Sequence, residues 1–428
     1  MSNDYPRSYY AASAKPGDLQ PFPMLTEQRD ADVCVIGGGI TGLSAALNLR
    51  ERGYSVMLLE AERVGWGASG RSGGQILTSY ACEMEPIEAQ LGFEEAKRLW
   101  DMSVESVALV KEQIQRHHID CDWLSGTSSA AIKPRQLRGL QEWHDDISGR
   151  YNYPHLEWKE GRDYDSVANS PQYIGGVVDT FAGHLHPLNY TLGLARAARD
   201  SGVEIFEKTR ALSLQKGSTC VVTTESGSVR CKNLVLAGNA YLGKLEPALD
   251  SKIMPVGTYI VSTEVLGEDR LRKFLPGYHA IADANFVLDY FRPTGDHRLL
   301  FGGRVSYSGL QPPDLSSGLR RRMLKVFPGL SDVKIEHAWG GFVDITVNRA
   351  PHFGRLGNDP VYFAQGFSGH GMALTNLAGK VIAEAIDGDN SRLDVFSHLK
   401  HQNFPGGRLL RMPSLVLAMM YYRLRDLL

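Results

Sequence analysis

The spacing of hydrophobic positions changes style along the chain, and each style predicts an element. Residues 1–30 are polar and proline-rich (Pro16, Pro21, Pro23) and predict an extended arm. Asp32-Val33-Cys34-Val35-Ile36 is a short run rich in β-branched residues and closed by three glycines, the pattern of a fully buried strand. From Gly42 to Arg52 the apolar residues Leu43, Ala46, Leu47 and Leu49 fall at near-helical spacing, with Gly53 as the stop. Ser55 to Leu59 is a second buried strand that ends in Glu60. Strand, turn, helix and strand in so short a span predict a βαβ unit and a parallel sheet.

From Glu83 to Arg150 the pattern turns amphipathic and helical, with charge clustered at Glu94, Glu95, Lys97 and Arg98. Residues 187–245 return to the first style. They predict a helix over Leu192–Ser201, a strand at Val203–Phe206 and a hairpin ending in Asn233–Gly238. Residues 255–340 alternate Tyr, Phe, Val and Arg with turn signals, as an antiparallel sheet would. Val361–Ala364 reads as a strand, followed by a glycine-rich turn and a helix to Ile386. The expected class is α/β, with a Rossmann-like nucleotide-binding domain assembled from discontinuous segments (31–85, 151–250 and 336–390). An inserted α+β substrate domain on an antiparallel sheet takes 86–150 and 251–335, leaving an N-terminal arm at 1–30 and a C-terminal extension at 391–428.

Composition narrows the function classes. Hydrophobic residues make up 43% and charged residues 22% of 428, a globular balance rather than a disordered one. Forty-six Lys plus Arg against 48 Asp plus Glu leave a net charge of −2, which gives no field for a nucleic-acid backbone. The five cysteines are scattered without a C-x-x-C, unlike a disulfide framework or a zinc cage, and point to a reduced cytoplasmic setting. No stretch reaches ~18 uncharged apolar residues, so no spanning helix is expected. The apolar Met412–Leu428 reads as a packed terminal helix, with a membrane-surface role as the alternative. The 45 glycines are the informative excess, because they cluster.

The first cluster is G-x-G-x-x-G at Gly37, Gly39 and Gly42, between the first strand and its helix. Its glycines allow a tight turn, close approach of a pyrophosphate, and close helix–sheet packing. Glu60 stands where a carboxylate accepts from a ribose 2′-hydroxyl and repels a 2′-phosphate, which disfavours NADP. The second cluster runs from Gly65 to Gln75 and adds a hydroxyl (Ser69) and a cation (Arg71). A second cradle so soon after Glu60 suits FAD, whose flavin half extends beyond the pyrophosphate. The third is Gln365-Gly366-Phe367-Ser368-Gly369-His370-Gly371-Met372, leading into a helix whose N-terminus would favour negative charge on the flavin. His370 either assists there or caps the helix.

Together these clusters resemble the D-amino-acid-oxidase-like family of FAD-dependent amine oxidoreductases, which includes glycine and sarcosine oxidases. Ser8–Ala14, Gly238-Asn239-Ala240-Tyr241-Leu242-Gly243, Leu288–Arg292 and Phe404–Arg408 make the chain similar to the bacterial γ-glutamylputrescine oxidoreductases of polyamine breakdown over nearly its whole length. The resemblance implies an FAD domain of the GR2 type under an inserted substrate domain. It implies that Gly37, Gly39, Ile40, Thr41, Gly42, Glu60 and Ala61 hold the ADP half. Ser69, Gly70, Arg71, Gly73, Gly74 and Gln75 would lie along pyrophosphate and flavin, and Ala211, between Arg210 and Leu212, by the adenine. Ala237, Gly238 and Gly340 would be further cofactor contacts, with Ser368, Gly369, His370, Gly371 and Met372 by the flavin carbonyls. His370 and Tyr290 are the catalytic candidates; Asp289, Arg292, Arg304 and Trp339 are the substrate candidates.

The implied reaction oxidises a primary amine through an imine to an aldehyde and ammonia, with dioxygen giving hydrogen peroxide. The amine must lose its proton first, from a free value near ~10.4, so the site must desolvate it. Amino-acid oxidases of the family carry an Arg just after a Gly-aromatic pair, gripping the substrate α-carboxylate. Here Trp339-Gly340-Gly341-Phe342-Val343-Asp344 has no Arg, which suits an amine with a remote charged end. Arg349 stands further on, where a structural role is open. Gln75 in place of His, and no Cys after His370, imply non-covalent FAD. His184 and His186 lack partners at metal spacing and read as hydrogen-bonded histidines, so no metal is expected. Another amine or amino-acid oxidase, an acceptor-linked dehydrogenase and a non-enzymatic flavin-holding subunit remain open, and the oligomeric state is not read from the sequence.

Overall fold

A computed structural model of the chain describes residues 5–306 and 314–405, the side chains of residues 16, 18 and 304–306 excepted. Two sheets organise it. The first runs in the order His352–Arg355, Val361–Gln365, Ser228–Leu236, Gln28–Ile36, Val56–Leu59, Glu204–Phe206, parallel except for the first pair. Val33 and Val35 join one apolar cluster and Cys34 and Ile36 another, so both faces of the central strand are covered. That explains its unbroken apolar run. The helix Ile40–Glu51 packs on the helix Gly371–Ile386 so closely that a methyl added at Gly379 would overlap Ala45 and Ser44. Ser44 Oγ donates to the Asn376 carbonyl at 2.7 Å across this contact.

The second sheet runs Ile335–Thr346, Ile253–Thr263, Leu299–Ser306, Tyr290–Pro293, Ala280–Asp283, Leu124–Ala131, Gly175–His184, Gln75–Ile76, with Leu156–Glu160 beside Gly175–His184. Only Ala280–Asp283 with Leu124–Ala131 is a parallel pair. The helix Leu315–Val326 contributes Leu319 and Met323 to a core shared with Phe291, Phe301 and Phe327.

Segment membership differs from the sequence expectation in four places. Residues 75–76, 156–184 and 336–346, expected with the nucleotide sheet, supply strands of the second sheet; Ile335–Thr346 pairs with Ile253–Thr263 along its length. The stretch 86–150 divides. Its helix Phe93–Arg116 buries Trp100, Val107 and Val110 in the core of Leu377 and Val381 on the nucleotide side, while Leu124–Ala131 joins the second sheet. The Ser/Thr-rich sequence of that strand hides it from any period-two pattern. The arm is not wholly extended: Tyr9–Ser13 is a short helix capped by Ser8 Oγ, which accepts from Ala11 N–H at 3.1 Å. The Met412–Leu428 stretch and most of Phe404–Arg408 lie outside the described residues.

Candidate active site

A cavity of about 300 Å³ opens at the C-terminal ends of the parallel strands, lined by Ile36 and Gly37, by Leu59 and Glu60, and by Ala237 and Gly238. Ligands of open parallel sheets bind at such an edge. Gly37 has φ +114°, and a Cβ there would lie 2.6 Å from the Ala237 carbonyl oxygen. A Cβ on Gly42 would overlap the Gly37 carbonyl, so Gly42 works behind the cavity, by letting helix and turn touch. The Glu60 carboxylate accepts N–H groups of Gly38 at 2.7 Å and Glu62 at 2.8 Å, and burial holds its pKa above the ordinary value. Gly39, Ile40, Thr41, Ala61, Ser69, Ala211, Gly369, Gly371 and Met372 also line this cavity.

The second cradle is fastened to the first: Ser69 Oγ accepts the Ile40 N–H at 3.1 Å. Arg71 lines neither cavity, and its guanidinium is held by residues of the slot wall. It lies 4.5 Å from the Trp66 ring, donates to Tyr241 Oη at 2.6 Å, and reaches the Gly340 carbonyl at 3.3 Å. Gly70 and Gly340 likewise pack behind the wall, on Gly65 and Tyr259. Two residues expected at the substrate hold this cradle from outside. Trp339 Nε1 donates to the Arg71 carbonyl at 3.0 Å. Arg292 donates to the carbonyls of Gly73 at 2.6 Å and Pro293 at 3.0 Å and to Tyr10 Oη at 3.0 Å. Arg292 is 3% exposed and lines neither cavity, and all three of its guanidinium nitrogens donate to the protein.

A larger cavity of about 700 Å³ shares Ser72, Val343, Gly369 and Met372 with the first, so the two meet there. Gly73, Gly74, Gln75, Tyr290, Ser368 and His370 line it. His370 occupies the N-cap position of Gly371–Ile386, but its side chain makes no capping bond and its buried Nδ1 has no partner. Burial, and then Arg349, push its pKa down to about 4, so the imidazole is neutral. The Tyr290 ring lies against Gly73 and Gly302, and burial raises its phenol. Asp289 does not reach the cavity wall; it pairs with Arg322 at 2.6 Å, which also holds the Val287 carbonyl. Arg304 lies in Leu299–Ser306, and its side chain is outside the described residues. His184 bonds the Tyr278 carbonyl at 2.9 Å, and His186 Nδ1 accepts from Asn189 N–H at 3.1 Å.

Several site residues escaped the sequence reading. Thr127, Ser128 and Ser129 form one wall of the larger cavity, and Asp179 and Asp283 bring acid to it. Asp179 is fully engaged, by Thr78, Tyr153 and the N–H groups of Phe181 and Ala182. Asp283 is pushed up to about 7 by burial and then by Asp289. Asp344 lines the smaller cavity and accepts from Asn239 Nδ2 at 2.9 Å and from the N–H groups of Gly366 and Phe367. It thereby ties the third glycine turn to the strand beside it, and burial lifts its pKa to about 6.

These features fit FAD. Glycine backbone admits an anion where side chains would collide, Glu60 follows the second strand with its carboxylate on the glycine turn, and an uncapped helix N-terminus stands at the meeting of the two cavities. Residues 32–385 match the model of the family described as FAD dependent oxidoreductase. Among curated proteins, the gamma-glutamylputrescine oxidoreductase of Escherichia coli (strain K12) is 42% identical over 424 residues, 99% of each chain. A probable oxidoreductase OrdL of Haemophilus influenzae is 40% identical over 428 residues, covering 99% of this chain and 98% of its own. Among solved structures, glycine oxidase from Geobacillus kaustophilus superposes with a TM-score of 0.72 at 21% identity, over 88% of this chain and 100% of that one, a likeness of fold. The chain belongs to the FAD-dependent oxidoreductase family, and the glycine-built slot described above is the candidate site for its flavin.

Proposed function

We propose that the chain oxidises the terminal primary amine of γ-glutamylputrescine, or of a closely related γ-glutamyl-polyamine, to the aldehyde. The balance is amine plus dioxygen plus water to aldehyde, ammonia and hydrogen peroxide. The observation that carries this reading is the 42% identity to the Escherichia coli enzyme over 99% of both chains. The larger cavity supports it. Its volume of about 700 Å³ suits an elongated substrate, and Val343 puts an apolar side chain where the two cavities meet. Bound FAD supplies the two-electron acceptor, and it is held non-covalently.

The chain's own groups prepare the amine. Met254, Val256, Leu288 and Met372 give the cavity apolar walls, which disfavour an ammonium and release the lone pair that the reaction needs. A neutral His370 adds no positive charge to oppose binding. Tyr290 and the backbone of Gly73 and Gly74 fix the position of the substrate chain. The test is anaerobic mixing of the purified yellow protein with γ-glutamylputrescine, followed by peroxide measurement under air. Bleaching with peroxide release is expected. Bleaching without peroxide points to a dehydrogenase using another acceptor, and a flavin that no amine reduces overturns the enzyme reading.

A further inference from the structure

We propose that Arg349 is the specificity residue that receives a carboxylate at the far end of the substrate, so that the enzyme selects amines whose acid group is remote from the reacting carbon. This deepens the proposed function and rests on that reading. Arg349 is the only Lys or Arg among the described residues lining the larger cavity, and His370 beside it is neutral. At the junction with the cofactor slot the strand presents Val343 instead, so a carboxylate on the reacting carbon would meet no cation there.

The backbone at Arg349 is held in a left-handed conformation. Arg349 has φ +60°, a conformation that costs an L-residue about 1–2 kcal/mol and that glycine would adopt freely. Three hydrogen bonds impose it. Arg349 N–H donates to the Thr346 carbonyl at 3.2 Å, Thr346 Oγ1 to the Ala350 carbonyl at 2.8 Å, and Ala350 N–H to Asn348 Oδ1 at 3.2 Å. The guanidinium stands 5.6 Å from the ring of Phe286, and both residues line the larger cavity and not the smaller one, away from the junction with the cofactor slot. A planar guanidinium with an aromatic ring beside it is suited to pairing with a carboxylate through two parallel N–H···O bonds.

The test compares γ-glutamylputrescine with the analogue whose α-carboxylate is converted to a primary amide, on the FAD-loaded enzyme. Wild type is expected to prefer the acid in kcat/KM by roughly tenfold to a hundredfold, the range for losing one charge-assisted pair. Arg349→Gln should collapse that ratio toward one, chiefly through KM for the acid, and Arg349→Lys should restore part of it. The flavin absorbance of each variant reports whether its slot is intact. A wild-type enzyme that oxidises acid and amide equally well overturns the proposal while leaving the proposed function standing, and needs no variant to fold. An Arg349→Gln enzyme that keeps the full preference overturns it too. A wild-type enzyme that oxidises neither sinks the proposed function itself.

Discussion

The two cavities of the slot are built of different material. The smaller one takes much of its character from glycine backbone at Gly37, Gly39, Gly65, Gly67 and Gly238, with carboxylates at Glu60, Glu62 and Asp344. The larger one is walled by side chains from strands far apart in sequence: Thr127 to Ser129, Ala280 to Asp283, Tyr290, and Val343 to Arg349. A backbone wall fits one shape and tolerates no added atom. A side-chain wall can be respecified residue by residue, so cofactor binding and substrate choice should respond very differently to single substitutions.

The largest effect should follow from crowding the turn behind the backbone wall. Gly42→Ala places a methyl inside the Gly37 carbonyl and 3.2 Å from Val35 Cγ1, so the helix Ile40–Glu51 and the turn must be forced apart. The expected product is colourless, with flavin content relative to protein lowered by on the order of tenfold or more, by absorbance. Were Gly42→Ala to retain a full complement of FAD, the backbone wall would be more compliant than its counterpart and the contrast between the two cavities would fail.

Arg292 tests the border between the two. It sits on the substrate side in sequence, yet its donors go to Gly73, Pro293 and Tyr10, behind the cofactor cradle. Arg292→Ala should therefore lower stability by roughly 2–4 kcal/mol and weaken FAD retention, since buried acceptors lose their partner. Arg292→Lys should rescue little, because an ammonium cannot span three acceptors placed for a planar fork. The measurements are thermal unfolding and flavin content. A variant with full flavin and a raised KM alone would return Arg292 to the list of substrate contacts.

The same contrast explains how much the sequence disclosed. The nucleotide half was legible because its chemistry is local: Gly37, Gly39, Gly42 and Glu60 fall within one βαβ unit, and their spacing alone states the geometry. The substrate half depends on pairings such as Ile335–Thr346 with Ile253–Thr263 and Leu124–Ala131 with Gly175–His184, which no local period encodes. Charged residues there were placed by type, and type misleads. Arg292 and Asp289 looked like ligands for an amine or an acid, but each meets its partner inside the protein. Asp344 and Asp283, which do line the cavities, differ from them in nothing that the sequence displays.

The subtlest expected difference lies in how the substrate side responds to pH. Asp283 is 4% exposed; its Oδ1 accepts the Asn285 N–H at 3.0 Å, and its Oδ2 has no partner. Burial and the neighbouring Asp289 push its pKa up to about 7 from 3.8, so the folded protein keeps a proton that the unfolded chain has released. Stability from this group therefore falls as pH rises from the unfolded value towards 7, and the whole cost is present above that. Asp283→Asn carries no charge at any pH and escapes the cost. Against wild type, the variant should gain little at pH ~4 and on the order of 2 kcal/mol at pH ~8, read as denaturant midpoints at each pH. An advantage that is flat across this range, or that is largest in acid, would mean that Asp283 is ionised in the fold. The substrate side would then carry a fixed negative charge of its own.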